Sequence, residues 1–141
     1  MNIKEYRETE NNKSGGTELF MSEYPLYCQY MLDIHEQYGH LDYHGPNPVG
    51  AHFKFYHSQV KKILEQKLQH VIEYGAGFTT LLLHKIKHTV DWNFEYYSYE
   101  NIKVYYDRLK ELGFDPDNCM EYVECYTDDK TEPDWNSVIY K

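Results

Sequence analysis

The segment Glu73-Tyr74-Gly75-Ala76-Gly77-Phe78-Thr79-Thr80 holds the residues best placed to do chemistry. Two glycines one residue apart follow the apolar run Val71-Ile72, so the chain can turn sharply there and let a ligand approach the main chain. A helix starting near Thr79 aims its unpaired N–H groups at that ligand. Glu100 stands at the end of the next apolar and aromatic run, where a carboxylate can accept both hydrogen bonds of a ribose diol. Nicotinamide-binding turns usually read G-x-G-x-x-G after an apolar strand end. Here Glu73 precedes the first glycine by two residues and Thr80 replaces the third glycine. An acid so placed repels a pyrophosphate and suits an amine. The simpler readings are a tight turn without ligand for Gly75 to Gly77, and a helix N-terminal carboxylate for Glu100.

Histidines are the other chemically suggestive set. His35 and His40 are five apart, which turns a helix by about 140° and separates the rings, so a zinc-protease helix is rejected. His84 and His88 are four apart and share a face, but no third ligand is evident nearby, so they read as solvated and no metal site is expected. His40, His44, His52 and His57 flank the run Gly45-Pro46-Asn47-Pro48 and read equally as pocket lining or surface.

The elements that must position these residues follow from periodicity. Residues 1–16 are polar and read as a mobile tail, and residues 17–51 as a helix plus a Pro-rich loop. Tyr27, Tyr30, Met31, Ile34 and Tyr38 form one stripe of a helix from Ser22, with Pro25 in its first turn. Phe53, Tyr56, Val60, Ile63 and Leu64 mark a second helix from about His52 to Leu68. The pattern then changes: strand His70 to Tyr74, read as buried, helix Thr79 to His88, strand Glu95 to Tyr99, helix Ile102 to Leu112 ended by Gly113, strand Met120 to Tyr126, and a last strand Val138 to Tyr140. Strands alternating with helices predict a parallel sheet covered by helices.

The acid-x-Gly-x-Gly pattern of Glu73 to Gly77, with Glu100 and Asp128 at successive strand ends, resembles the class I S-adenosylmethionine-dependent methyltransferases over about Phe53 to Tyr140. The resemblance implies an α/β fold, a three-layer Rossmann-like sandwich of strand order 3-2-1-4, with residues 52–141 as its nucleoside-binding half. It puts Glu73 near the methionine amine of S-adenosylmethionine, and Gly75, Ala76 and Gly77 under the methionine and ribose, with Thr79 opening the helix beside them. It also puts Glu100 on the ribose hydroxyls, Asn101 and Ile102 around the adenine, and Thr127-Asp128 at the adenine amino group. The implied activity is methyl transfer to an unidentified acceptor. The family continues beyond its fourth strand, whereas this sequence stops at Lys141, so no acceptor site or catalytic base carries over. The alternative is a non-catalytic nucleoside-binding or assembly protein that keeps the half-fold. A homodimer or a partner chain is expected at the edge of the last strand, unless the leading helix covers it.

Composition narrows the classes. The net charge of −9 lacks the basic excess of a non-specific nucleic-acid binder, and no apolar run is long enough for a membrane span. Eight acids lie between Asp115 and Asp134 against Lys130 alone, and they read as a solvated face. Cys28, Cys119 and Cys125 form no CxxC pair and read as buried thiols in a reducing compartment, the cytoplasm of a bacterial cell or a virus-infected host. Tyrosine supplies 16 of the residues, which predicts a core whose hydroxyls need partners at its rim.

Overall fold

Apolar residues three and four apart dictate the first half of the molecule. The computed structural model describes residues 16–38, 49–126 and 139–140. Residues 1–15 of the expected tail, the Pro-rich stretch at 39–48, Thr127, Asp128 and Val138 lie outside the described residues. Helix α1 (Gly16–Glu23) and helix α2 (Pro25–Tyr38) replace the single helix expected from Ser22. Pro25 has no N–H to continue α1, yet its fixed φ is well suited to opening α2. Helix α3 (Val49–Gln66) begins before His52 and turns Phe53, Tyr56, Val60 and Ile63 inward. Phe20, Met31, Leu32, Phe53 and Val60 meet at zero exposure. Burying side chains of this size stabilises by roughly 1.5–3 kcal/mol each.

The tyrosine-rich core satisfies its hydroxyls as the composition requires. Tyr27 Oη lies 2.6 Å from Thr89 Oγ1, Tyr56 Oη 2.9 Å from His35 Nε2, and Tyr96 Oη donates to Asp117 at 2.7 Å. His35 is therefore a buried structural residue. His57 is likewise buried, packed on Phe20 and Tyr24. Cys28 is buried, and Cys119 is half-buried.

From His70 the period shortens and a parallel sheet forms: β1 (His70–Tyr74), α4 (Phe78–Lys87), β2 (Glu95–Glu100), α5 (Lys103–Leu112) and β3 (Met120–Tyr122). Strand order is β1-β2-β3, with Glu73 opposite Ser98 and Glu100 opposite Tyr122. Gly113, in the left-handed region at φ 81°, closes α5. This register puts Val71, Glu73, Tyr96, Ser98, Glu100 and Tyr122 on one face. Both α4 and α5 cover that face, because successive crossovers of one hand in a 1-2-3 order return on the same side. Helices α1 to α3 extend this helical layer by packing together, with α2 and α3 against α4.

Three expectations need correction. First, the run Met120 to Tyr126 is not one strand: β2 ends at Glu100, the ladder closes with Val123 N–H donating to Glu100 O at 2.9 Å, and the chain beyond has no neighbour in that sheet. Cys125–Tyr126 (β4) instead pairs antiparallel with Ile139–Tyr140 (β5). The last strand is therefore not seen beside β1, and the order 3-2-1-4 reduces to β1-β2-β3. Second, β1 is an edge rather than a buried strand, and among the described residues the two edges of the parallel sheet are β1 and β3. Third, only two layers are present among the described residues, and the second sheet face leaves Ile72, Tyr74 and Tyr97 about half exposed.

Candidate functional site

Glu73 points from β1 into the interface with α4, and the turn is built around it. Thr79 Oγ1 donates to Oε2, while Thr80 Oγ1 and Ser98 Oγ donate to Oε1 at 2.5 and 2.7 Å. Thr80 Oγ1 in turn accepts the Gly77 N–H at 3.0 Å, so one hydroxyl both caps the helix and holds the acid. Burial pushes the Glu73 carboxyl above the ordinary carboxylate range; the three hydroxyls pull it back, and the negative charge of Glu100 adds to the rise.

Glu100 closes the turn from the neighbouring strand. Its Oε1 accepts the Ala76 N–H at 3.2 Å, and its Oε2 accepts the Ile102 N–H at 2.9 Å. At 4% exposure it is also held toward the neutral form by burial, against the pull of the N–H groups of Ile102, Ala76 and Asn101. Gly75 adopts φ 94°, a left-handed conformation that glycine takes without strain, and donates to Tyr99 O at 2.8 Å. A side chain built on Gly75 or Gly77 would meet nothing within 4 Å, so space is open above the turn.

Six of the sequence-predicted residues, Glu73, Gly75, Ala76, Gly77, Thr79 and Glu100, thus come together. Asn101 and Ile102 follow directly, and Asn101 Oδ1 is buried with no donor among the described residues. A cavity of about 400 Å³ opens between α3, β1 and α4, with Glu73, Gly75 and Thr79 in its wall beside Phe55 and Gln59. Glu100, Asn101 and Ile102 do not line it. Neither Glu73 nor Glu100 has a cationic partner among the described residues. A half-buried and a buried carboxyl without a counter-charge make a site that a cationic ligand would ionise and neutralise.

A second constellation sits at the other end of α4. His84 and His88, whose ring centres are 4.6 Å apart, both face Asp117 from the segment before β3. His84 Nδ1 lies 2.8 Å from Asp117 Oδ2 and His88 Nε2 2.6 Å from Oδ1. Burial raises the Asp117 carboxyl, but hydrogen bonds from His88, His84 and Tyr96 outweigh it and bring it down to about 2. Asp115 and Asp117 were read as part of a solvated acidic face; their side chains are only 2% and 9% exposed. Asp115 accepts the N–H groups of Cys119 and Met120 at 2.7 and 3.1 Å, and also pairs with Lys110. The only sequence signal for this cluster was the four-residue spacing of the histidines.

Comparisons with protein-family models, with curated proteins and with solved structures found no match. Among the described residues no helix is long and apolar enough to cross a membrane.

Proposed function

We propose that the glycine turn binds S-adenosylmethionine and that the chain is a methyltransferase, or the cofactor-binding portion of one, acting on an unidentified acceptor. The observation that carries this reading is the pair of carboxyls, half-buried Glu73 and buried Glu100, without a cationic partner among the described residues, around a glycine turn with open space above it. S-adenosylmethionine is cationic at its amine and its sulfonium, and that sulfonium supplies an electrophilic methyl group when bound. Glu73, in the wall of the cavity, faces the amine; Gly75, Ala76 and Gly77 present main chain without side-chain obstruction. Glu100 keeps a second lone pair on each oxygen for ribose hydroxyls beyond the backbone bonds it already accepts. Asn101 Oδ1 is a buried acceptor with no donor among the described residues, which suits an adenine amino group near Asn101 and Ile102. Thr127 and Asp128 remain candidates for that same group.

By the same proposal the sheet is the nucleoside half of a Rossmann-like domain, with the fourth-strand position at the edge of β1. One observation favours a second reading. The exposure of Ile72, Tyr74 and Tyr97 on one face fits a non-catalytic assembly protein that buries this face against a second copy or a partner. Calorimetric titration of the full chain with S-adenosylmethionine, its demethylated product and NAD separates the cases. Preference for the first two over NAD is expected, because Glu73 repels a pyrophosphate; tighter NAD binding would end the methyltransferase reading.

A further inference from the structure

We propose that His84, His88 and Asp117 form a binding site for one divalent ion of the zinc class, separate from the glycine turn. Their ligand atoms, one from each residue, lie within 4.8 Å of one another. The four-residue spacing brings the imidazoles of His84 on α4 and His88 at its C-cap side by side, and Asp117 arrives from a different segment, so the set converges from two sides. Ligands bound at about 2.0–2.2 Å around a tetrahedral ion stand a little over 3 Å apart. Insertion therefore requires the two His–Asp contacts, now 2.8 and 2.6 Å, to open by about 0.5–1 Å, and any ligand separation as wide as 4.8 Å to close by about 1–1.5 Å, movements on the scale of side-chain rotation.

The surroundings suit an ion as well. Tyr96 donates to Asp117 Oδ2 at 2.7 Å and orients the carboxylate from behind, as outer partners of metal ligands do. His88 is 53% exposed, which provides an entry path and leaves room for water at the remaining position. Two imidazole nitrogens and one carboxylate oxygen select Zn²⁺, Co²⁺ or Ni²⁺ over Mg²⁺ and Ca²⁺, which prefer all-oxygen shells. The ion would clamp the carboxy-terminal end of α4 to the segment before β3, with His84 and His88 about 6 and 12 Å along the helix from Thr80, the residue that holds Glu73.

The test is calorimetric titration of the full chain, freed of metal by a chelator, with Zn²⁺ alone. Wild type is expected to take up one equivalent, with His84→Gln and His88→Gln each weakening it at least tenfold. His70→Gln, an exposed histidine outside the cluster, should change nothing. Co²⁺ should give visible absorption bands that disappear in the same two variants. Because His88 is half exposed, its variant keeps the test open even if His84→Gln folds poorly. Absence of stoichiometric uptake by wild type, or uptake unchanged in both His84→Gln and His88→Gln, would overturn the proposal and leave a bare hydrogen-bonded triad.

Discussion

At the amino-terminal end of α4, half-buried Glu73 and buried Glu100 sit among hydroxyls and backbone N–H groups, and both carboxyls rise above their ordinary range. At the carboxy-terminal end, Asp117 is also buried, yet two imidazoles and a phenol bring it down to about 2. All three acids make good hydrogen bonds. Burial raises every one of them, so the difference lies in how far the partners can offset it. Hydroxyls and amides contribute dipoles without net charge, whereas an imidazole can carry a proton and its charge. The first end thus leaves its carboxyls without a cationic partner among the described residues, whereas at the second the hydrogen bonds outweigh burial.

The largest effect is expected at the self-sufficient end. Asp117→Ala removes three hydrogen bonds, those from His84 and Tyr96 part-buried and that from His88 exposed, and should cost about 2–4 kcal/mol in urea unfolding at pH 7 without metal. A loss below about 1 kcal/mol would show that water replaces the carboxylate freely, and the contrast between the two ends would collapse.

Glu100→Ala comes next. Loss of charge-assisted bonds to a ribose, each worth roughly 1.5–3 kcal/mol, should weaken S-adenosylmethionine binding at least tenfold by calorimetry. Wild-type affinity in that variant would mean that Glu100 only braces Ala76 and Ile102.

Glu73→Gln should separate stability from binding. A carboxyl whose folded pKa is raised contributes stability that is fully present below its unfolded value and lost as pH rises through the folded value. The Gln variant should therefore match wild type near pH 4 and gain on it by about 1 kcal/mol at pH 8, while binding the cationic ligand more weakly. A stability difference that is flat with pH would show that the carboxyl at Glu73 is not displaced from its ordinary range.

The smallest effects compare the two glycines. Gly75→Ala forces a side chain into φ 94° and should cost about 1 kcal/mol. Gly77, at φ 165°, is extended, so Gly77→Ala should change stability by less than about 0.5 kcal/mol and yet hinder a ligand lying on the turn. Equal stability losses in urea unfolding would show that the turn is strained throughout rather than at Gly75 alone.

Much of the site was legible before any coordinates because its parts are close in sequence. The strand His70–Tyr74, the glycines after it and the helix beginning at Phe78 form one continuous segment whose apolar run and punctuation identify it. Glu100 was legible as the end of the next strand. Less accessible was the occupation of Glu73 by Thr79, Thr80 and Ser98, since Ser98 arrives only through the β1–β2 register. Asp117 lay hidden among acids that look solvated, 29 residues beyond His88. The unexpected pairing of Cys125–Tyr126 with Ile139–Tyr140 likewise depends on where β2 runs out.

Hydrophobic period and turn chemistry act over a few residues, and they alone determined that this chain makes leading helices followed by strands alternating with helices around Gly75 and Gly77. Which acids carry charge comfortably was decided by the tertiary structure. Desolvation and charge partners are properties of a place in space, and the fold gives Glu73 three hydroxyls while giving Asp117 two imidazoles.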